Sequence, residues 1–407
     1  MSQNPMNILL ISQVFYPDQV AVSNLFTKLF VRIAETNVYK LDVWCAQPSY
    51  TTRKRQPRHL NYKGIEVNYL TSTNFSKNNL YGRIINVLSF SLSVIFKLIF
   101  SRSKDLIIVH TTPPFLAILV IALARVKKRK VVYILMDIFP DGLVRLGKAS
   151  LRNPFIRIWK VLHRKALNST ERIVSIGRDM ASWVKDEVPG LPPERLIVIP
   201  LWQDEKQISP IEFENNPFVL KYGLKDDFVV QFSGNMGFWN DLETVGRAVA
   251  KGPDGVKYVF IGDGIRKKEL VSEIGSSAAN TLFLPFLSNE EYSYSVTACH
   301  CGLVTLRNEA LGMGVPSKIF GIMAAGIPVL AIAPKDSEIA QIVLESECGL
   351  VVEPGDVDSL LSSIKLLKAD PELRVRMGKN ARLAFEKKYT VESGARNYLK
   401  LFDEVLR

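Results

Sequence analysis

The feature that most constrains the fold is an alternation of short apolar runs with longer helix-like segments, which occurs twice along the chain. The apolar runs are rich in Val, Ile and Leu. Continuous apolar strands that alternate with helices are typical of a parallel sheet covered by helices on both faces. We therefore predict an α/β protein with two doubly wound, Rossmann-like domains and a central cleft at the carboxyl ends of their strands.

The pattern also predicts the domain boundaries. The predicted strands of the first domain are residues 8–12, 41–45, 65–70, 106–110, 130–135, 172–175 and 196–199. A polar stretch at 203–216 then separates them from a second series. The predicted strands of the second domain are residues 228–232, 258–261, 281–284, 301–305, 328–332 and 349–351. We expect domains at 1–202 and 203–388, with a final helix at 389–407 that packs back on the first domain.

The charge differs between the two halves and indicates different partners. Residues 1–200 carry a net charge of +17, whereas residues 201–407 carry −5. A basic domain is expected near an anionic partner, which could be nucleic acid, a phosphorylated ligand or a membrane surface. The basic run 125–130 has no interleaved aromatic residues, so a solvated loop is favoured there and no nucleic-acid partner is expected.

Cysteine content bears on the compartment and on metal binding. The four cysteines of this 407-residue chain are too few to cross-link it, so a reducing, cytoplasmic environment is expected. Two of them flank His300 in the sequence Cys299-His300-Cys301, which could be part of a metal site. A zinc site needs four ligands at suitable spacing, so core packing is favoured and no metal is expected.

Three apolar segments bear on membrane association. Residues 84–96 and 115–124 are too short or too polar to span a bilayer, so we expect core helices, with an interfacial helix as the alternative for the first. A third helix, 154–167, combines basic side chains with Trp159 on an amphipathic pattern. Together with a second helix predicted at 81–100, this composition suits the anionic inner face of a plasma membrane, although ordinary packing with the charges outward gives the same pattern.

Glycine follows two predicted strands of the second domain. Ser233-Gly234-Asn235-Met236-Gly237 follows one strand, and Gly262-Asp263-Gly264 follows the next. Glycine at such a position lets backbone N–H groups approach a phosphate, but ordinary tight turns use glycine as well. No GxxxxGK[ST] motif is present, and no GxGxxG follows the first strand. A P-loop ATPase and a standard NAD-binding first domain are therefore excluded.

The most informative stretch is RNEALGMGVPSKIFGIMAAGIPVLA, residues 307–331. Pro316 stands at a plausible first turn of a helix and is followed by Ser317 and Lys318. A helix N-terminus with a Ser hydroxyl and a Lys is suited to a diphosphate. A capped helix with a solvated Lys would show the same pattern.

These motifs together resemble a known family. SGNMG, FIGDG, FLPFL, PSKIFGIMAAGIPVLA and the Pro354-Gly355-Asp356 turn occur in the order and spacing of bacterial GT-B-fold glycosyltransferases. The chain is most similar to the retaining, family-4 type that builds exopolysaccharide and O-antigen units. In the first half, QVFYPD and VVYILMDIFPD agree with this resemblance. The resemblance covers nearly the whole chain and implies the GT-B fold, but it is far less specific as to the sugar.

The resemblance implies a nucleotide-sugar donor, best guessed as UDP-glucose, in the second domain, and a glycolipid or saccharide acceptor beside the first. It implies no metal or other cofactor, and Glu309 and Asp137 as the catalytic carboxylates. The implied donor-binding residues are Asn235, Met236, Gly237, Gly262, Gly264, Leu284, Pro285, Phe286, Arg307, Pro316, Ser317, Lys318 and, for the ribose, Glu338. The implied acceptor-side residues are Tyr16, Asp18 and His110.

The chain also departs from the family pattern. Gly321 stands where the second Glu of the Glu-x7-Glu motif is expected, and Asn235 and Asn240 stand where Arg and Lys are usual. Lys318 and Arg307 are therefore expected to take more of the phosphate charge. Three alternatives stay open: a GT-B-like nucleotide-sugar 2-epimerase, a non-catalytic nucleotide-binding assembly subunit, and a nucleic-acid-binding role for the basic half.

Overall fold

The computed structural model describes residues 5–76, 79–101 and 104–407. The chain divides into two compact units. Unit 1 extends to Pro200 and also contains Val391–Arg407, and unit 2 is Leu201–Thr390. The polar stretch 203–216, which the sequence suggested as a linker, belongs to unit 2, where the backbone N–H of Gln203 donates to Tyr389 O at 2.9 Å.

Unit 1 is built on an eight-stranded sheet. Its strands are β1 Asn7–Ile11, β2 Lys40–Gln47, β3 His59–Tyr62, β4 Ile65–Thr71, β5 Leu106–His110, β6 Lys130–Leu135, β7 Arg172–Ser175 and β8 Leu196–Val198. Their order in the sheet is β3-β4-β2-β1-β5-β6-β7-β8. The β3–β4 pair is antiparallel, and the other neighbouring strands of the sheet are parallel.

The helices of unit 1 are α1 Ala21–Ala34, α2 Leu80–Phe100, α3 Pro114–Val126, α4 Asp141–Arg145, α5 Pro154–Ser169, α6 Arg178–Glu187 and, from the C-terminal segment, α15 Val391–Leu406. α15 packs against α1, where Arg32 Nε lies 3.2 Å from Glu392 Oε2. Lys130 Nζ donates to Val405 O at 2.6 Å and fixes the other end of α15.

Unit 2 contains a six-stranded parallel sheet with the order β11-β10-β9-β12-β13-β14. Its strands are β9 Phe228–Ser233, β10 Val256–Ile261, β11 Thr281–Leu284, β12 Cys301–Thr305, β13 Val329–Ile332 and β14 Gly349–Val352. Its helices are α7 Pro217–Tyr222, α8 Leu242–Ala250, α9 Lys267–Ile274, α10 Asn289–Val296, α11 Lys318–Ala324, α12 Glu338–Glu345, α13 Val357–Ala369 and α14 Pro371–Lys388. The predicted fold class, two Rossmann-like α/β sheets, is confirmed.

Side chains cap the N-termini of eight of the described helices. In each capped helix a side-chain oxygen accepts a hydrogen bond from a backbone N–H of the first turn, which satisfies one of the unpaired donors there. The capping residues are Asn79, Asn153, Asn216, Asp241, Ser288, Ser337, Asp356 and Asp370. Pro follows the cap in α5, α7 and α14, where its missing N–H costs nothing.

One expectation about the apolar segments is wrong. α3 is largely buried, as a core helix should be. α2 is longer than the apolar run at 84–96 suggested, and most of its large apolar side chains are exposed. By length and composition its segment Tyr81–Phe100 could cross a membrane. Polar residues such as Asn86 and Ser93, which interrupt the apolar run in the sequence, lie on the side that faces the protein. The exposed side of the helix is therefore more continuously apolar than the run indicated.

Candidate active site

The candidate site of unit 2 lies where the strand order of its sheet reverses. β9 and β12 are neighbours, with β10 and β11 on one side and β13 and β14 on the other. The connections that leave the two central strands turn to opposite faces, which opens a crevice at their carboxyl ends. The loops that follow β9 and β12 and the first residue of α11 meet at this edge.

Lys318 is the main charged group at this edge of the sheet. Its half-buried ammonium lies 3.4 Å from the centre of the Phe232 ring and 3.4 Å from Asn240 Oδ1. No carboxylate of the described residues lies within ion-pair distance of it. Burial lowers the pKa of Lys318 to about 7. The site therefore holds a cation that the protein itself does not neutralise.

Asn240 positions Lys318. The Asn240 side-chain amide donates to Asn235 O at 3.2 Å and to Gly237 O at 3.3 Å, which fixes the loop after β9. Its Oδ1 accepts from Thr305 Oγ1 at 3.2 Å as well as from Lys318. Asn240 therefore connects the loop after β9, the end of β12 and Lys318. It does so at a position where the family pattern has a cation.

The glycines after β9 and β10 allow two loops to pack backbone against backbone. A Cβ at Gly262 would lie 2.2 Å from Gly234 O, and a Cβ at Gly264 would lie 2.4 Å from Met236 O. Both glycines have positive φ angles of 121° and 158°. Close approach of the two loops, which only glycine permits, accounts for these residues.

The same packing uses three of the backbone amides that were expected to bind a phosphate. The N–H of Met236 donates to Asp263 O, and that of Gly262 donates to Leu284 O, both at 2.9 Å. The N–H of Gly264 donates to Asp263 Oδ1, also at 2.9 Å. These donors are already used within the fold, and Met236 itself is completely buried. In the part of the chain that the structure describes, the positive charge of Lys318 is a better candidate than these backbone amides for binding an anion.

Arg307 and Glu309 form an ion pair with each other. Arg307 Nε lies 3.3 Å from Glu309 Oε2, and the two side chains are 35% and 45% exposed. The backbone N–H of Arg307 donates to Trp239 O at 2.9 Å and ties the loop after β12 to the loop after β9. A pair this exposed is worth at most about 1 kcal/mol, so a ligand can separate the two groups at low cost.

The residues before Lys318 leave a hydroxyl free for a ligand. Pro316 is half-buried and Ser317 is exposed. The Ser317 side chain makes no capping hydrogen bond at the start of α11. α11 is only seven residues long, so Ser317 contributes as a neighbour of Lys318 and not as part of an anion site at a helix terminus.

An exposed aromatic side chain lies next to the glycine loop. Leu284 ends β11 half-buried, and Pro285 and Phe286 follow it on the surface. Phe286 is 60% exposed, and its Cε1 would lie 3.2 Å from a Cβ at Gly262. A ring with an open face above backbone is suited to stacking against a planar base.

Tyr292 was missed by the sequence analysis. It lies on α10, and its hydroxyl is 2.4 Å from the position of a Cβ at Gly321 on α11. The Tyr292 hydroxyl makes no hydrogen bond to a described residue, and burial raises its pKa to about 12. Gly321 is one helical turn beyond Lys318, so the two positions share a face of α11. The only sequence feature that points to Tyr292 is the missing side chain at Gly321, and a glycine does not indicate which residue fills the space beside it.

Glu338 does not lie where a ribose could reach it readily. It is the first residue of α12, and only 5% of it is exposed. The expectation that Glu338 replaces the missing carboxylate at Gly321 is therefore not supported by its burial. The Tyr292 hydroxyl is the polar group that lies beside Gly321.

In unit 1, Asp137 is the candidate carboxyl. It follows β6, and its backbone N–H donates to Thr111 Oγ1 at 3.1 Å, as does that of Met136 at 3.0 Å. Its carboxylate makes no hydrogen bond or ion pair with a described residue. Burial raises the pKa of Asp137 to about 6, which brings its titration close to neutral pH. A perturbed carboxyl at a strand end is a candidate for catalysis.

The other acceptor-side residues of unit 1 have structural roles. His110 is buried and stacks on Phe26, and its pKa is lowered to about 3 by burial. Ser12 Oγ donates to Val14 O, so His110 Nε2 donates to Ser12 Oγ at 2.9 Å, while Nδ1 accepts from the Thr112 N–H. Both ring nitrogens are satisfied inside the fold, so His110 has no atom to offer an acceptor.

Asp18 and Tyr16 also serve the fold. Asp18 Oδ1 accepts from Ser49 Oγ at 2.6 Å and from the Thr51 N–H at 2.7 Å, which holds the loop after β2. The buried position of Asp18 does not favour a contact with an acceptor. Tyr16 is half-buried and stacks on Tyr62, with ring centres 3.8 Å apart.

The Cys299-His300-Cys301 sequence does not form a metal site with other described residues. Cys299 and Cys301 are buried, and His300 Nδ1 accepts a hydrogen bond from the Val229 N–H at 3.0 Å, so this sequence is part of the core. In residues 5–76, 79–101 and 104–407, no three His, Cys, Asp or Glu side chains are grouped so that they could hold a metal ion.

Comparison with known proteins places this geometry in a family. Residues 218–384, most of unit 2, match the family model described as glycosyl transferases group 1. The chain is 30% identical over 291 residues to the "Probable glycosyltransferase WbjE" of Pseudomonas aeruginosa, covering 69% of this chain and 70% of that protein.

Two solved structures share the fold over almost the whole chain. The sucrose-phosphate synthase of Thermosynechococcus elongatus has a TM-score of 0.77 at 16% identity and covers 98% of this chain and 99% of its own. Anabaena HepE in complex with UDP-glucose has a TM-score of 0.70 at 18% identity, with 98% and 100% covered. The tandem sheets, the site at the switch of strand order and the similarity to WbjE together show that the chain belongs to the group 1 glycosyltransferases, transferase enzymes of the GT-B fold.

Proposed function

We propose that the protein moves a hexose, most readily glucose, from a UDP-sugar to a lipid-linked saccharide or polysaccharide precursor, with retention at the anomeric carbon and without a metal ion. The observation that carries the proposal is Lys318, a half-buried cation with a lowered pKa and no carboxylate partner among the described residues. Holding such a cation is unfavourable for the free protein, so its presence indicates an anionic ligand.

The neighbours of Lys318 fit the other parts of a nucleoside diphosphate sugar. Phe286 offers an open aromatic face to a base. The unpartnered hydroxyl of Tyr292 lies beside Gly321, one turn along α11 from Lys318, and is proposed to contact a ribose hydroxyl. HepE, which shares the fold, was solved with UDP-glucose, and this supports uridine and glucose as the first choice for the donor.

The reaction requires charge stabilisation that these residues can supply. Breaking a sugar–diphosphate bond builds negative charge on the leaving phosphate and positive charge at the anomeric carbon. Lys318 and Arg307 are proposed to stabilise the phosphate in the role that a metal ion would otherwise have, and Ser317 adds a hydroxyl donor. Glu309, once separated from Arg307, is proposed to face the donor sugar, and Asp137 is proposed to serve the acceptor hydroxyl.

The test is a donor panel in the presence of EDTA. UDP-, GDP-, ADP- and dTDP-sugars are compared by thermal shift, by release of nucleotide, and by transfer to lipid-linked saccharides, with NMR of the product's anomeric carbon. Stabilisation by UDP-glucose, release of UDP and a product with retained configuration are expected. Nucleotide binding without any turnover would favour a non-catalytic assembly subunit, and interconversion of UDP-sugars without transfer would favour a 2-epimerase.

A further inference from the structure

α2 presents an apolar face to solvent along its whole length. Eight large apolar side chains on this helix are between 42% and 75% exposed. They recur every three or four residues and so form one stripe, made of Tyr81, Ile84, Ile85, Leu88, Leu92, Phe96, Ile99 and Phe100. At 1.5 Å per residue the stripe is roughly 30 Å long. Soluble monomers rarely expose a contiguous apolar patch of this extent.

The opposite face of α2 holds the helix against unit 1. Phe90, Val94 and Leu98 are completely buried. Ser93 Oγ donates to Thr71 O at 2.6 Å, and Lys97 Nζ donates to Asn68 Oδ1 at 2.7 Å, both next to or within β4. α2 is long enough to cross a bilayer, but it is packed sideways on a sheet, which a membrane-spanning helix is not. The exposed stripe is therefore an outer surface of the folded unit.

The apolar surface continues over two neighbouring helices. α3 packs against both α2 and α5. The connections from β4 to β5, β5 to β6 and β6 to β7 run in the same direction along the sheet, so right-handed crossovers put α2, α3 and α5 on the same face. Leu119 and Val126 of α3 are exposed, as are Phe155, Ile158 and Val161 of α5. Since the inner sides of these helices face the sheet, their exposed side chains point outward together. We call the outer faces of α2, α3 and α5 the helical surface.

The charge of the helical surface is entirely of one sign. The three helices have 21, 13 and 16 residues and contain seven Lys or Arg but no Asp or Glu. Lys160 and Arg164 are paired with Glu187, which lies outside these helices. Arg157 and Lys165 have no carboxylate within ion-pair distance among the described residues. Unpaired cations are thus left on the exposed side of α5.

A shallow groove on α5 combines both properties. Its volume is about 260 Å³, and it is lined by Leu151, Arg157, Lys160, Val161 and Arg164. Apolar side chains and guanidinium groups in one groove suit a phosphate that is attached to acyl chains. The groove lies on the same helix as the exposed Phe155 and Ile158.

We propose that the helical surface docks unit 1 on an anionic phospholipid bilayer, with the stripe of α2 in the boundary between headgroups and acyl chains and Arg157 at a lipid phosphate. An amphipathic face with Tyr, Phe and Leu beside Lys and Arg lies in the plane of such an interface. Trp159, which the sequence suggested for this face, is buried instead. Attraction to anionic lipid places the protein peripherally on the cytoplasmic leaflet. A second copy of the chain fits less well, because it would bring cations against cations.

The proposal does not rest on the donor or the acceptor, and its test needs neither. The full chain is sedimented with vesicles of phosphatidylcholine that contain about 30% phosphatidylglycerol, and with vesicles of phosphatidylcholine alone. The test variants are Leu92→Glu with Phe96→Glu on α2, and Arg157→Glu in the groove. The control is Val375→Glu, which adds one negative charge at an apolar residue that is 73% exposed on α14 of unit 2.

The wild type and Val375→Glu are expected to sediment with anionic vesicles and to remain largely in solution with neutral ones. Leu92→Glu/Phe96→Glu should lower the bound fraction at least tenfold, and Arg157→Glu should lower it less and reduce the dependence on salt. Equal unfolding midpoints for the variants and the control show that the loss is one of binding. The proposal is overturned if the wild type stays in solution at low salt, if neutral vesicles bind it equally, or if the α2 variant binds normally. It is also overturned if light scattering shows that the wild type is a dimer and that the α2 variant is a monomer.

Discussion

The hydroxyl of Tyr292 occupies the space that a side chain at Gly321 would need, because a Cβ at Gly321 would lie 2.4 Å from Tyr292 Oη and 3.6 Å from Cζ. A chain with a carboxylate at position 321 could not have this arrangement. Tyr292 and Gly321 are therefore a matched pair, in which a hydroxyl on α10 takes the place of a side chain on α11.

The matched pair predicts a non-additive result for stability. Gly321→Ala should lower the free energy of unfolding by about 1–3 kcal/mol, the usual cost of overpacking, despite the better helix propensity of Ala. Tyr292→Phe removes the clashing oxygen, so the double variant should recover most of that loss. Urea unfolding of the four proteins measures the coupling. Strictly additive effects would show that the two residues do not share the space.

The Tyr292 hydroxyl also predicts discrimination between riboses. A neutral hydrogen bond is worth about 0.5–1.5 kcal/mol, so the wild type should bind UDP roughly 2–10 times more tightly than 2′-deoxy-UDP. Tyr292→Phe should bind both with the same, weaker affinity. Titration calorimetry with the two nucleotides decides the point. If Tyr292→Phe keeps the full preference for UDP over 2′-deoxy-UDP, another residue makes the ribose contact.

Much of the fold could be predicted from the sequence, because each buried parallel strand is a continuous apolar run. β5, β6, β7, β11 and β12 have the bounds that the apolar runs indicated. β3 was missed, since His59–Tyr62 is an antiparallel edge strand with half-exposed and exposed residues and no apolar run. The exposed apolar stripe of α2 could not be predicted, because the sequence does not show that the polar residues of this helix face β4 and its loop.

The candidate site was harder to predict, because its geometry depends on contacts between distant segments. Lys318 could be selected from local sequence, but its missing counter-ion could not. The glycines at 262 and 264 were assigned to a phosphate when they serve loop packing, and the pairing of Arg307 with Glu309 left no sequence signal. His110 could not be judged from the sequence either, because only the fold shows that Ser12 lies beside its ring and occupies Nε2.

Asp137 predicts a pH dependence of transfer. Burial raises its pKa to about 6, so the ionised carboxylate is lost as the pH falls through 6. If Asp137 acts as the ionised form, kcat/KM should decline about tenfold per pH unit below that value. Asp137→Asn should lower kcat about 10²–10⁴-fold and abolish this acidic limb, with little change in donor affinity. An unchanged acidic limb in Asp137→Asn would assign it to another group.

Lys318 predicts a gain in stability when it is removed. Its pKa is about 7 in the folded protein against 10.5 for a free lysine, so the unfolded chain binds the proton more tightly. Lys318→Met should raise the Tm of the ligand-free protein at pH 7 by about 2–4 °C, the effect of about 1 kcal/mol in a domain of this size. The difference should shrink as the pH rises from 7 towards 10.5, because the unfolded chain then loses the proton that the folded wild type has already released. A lower Tm for Lys318→Met at pH 7 would contradict the account.

The most direct test of the central claim, that Lys318 binds the donor diphosphate, is calorimetric titration of UDP-glucose in EDTA at pH 6.5 and 8.5. The diphosphate of UDP-glucose does not titrate in this range, so the change reports on the protein. If Lys318, with a pKa of about 7, must be protonated to bind the diphosphate, binding should be up to about 25-fold weaker at pH 8.5 than at pH 6.5. Lys318→Met should show no measurable binding at either pH. Binding by Lys318→Met at the affinity of the wild type, or a wild-type affinity that is the same at both pH values, would contradict it.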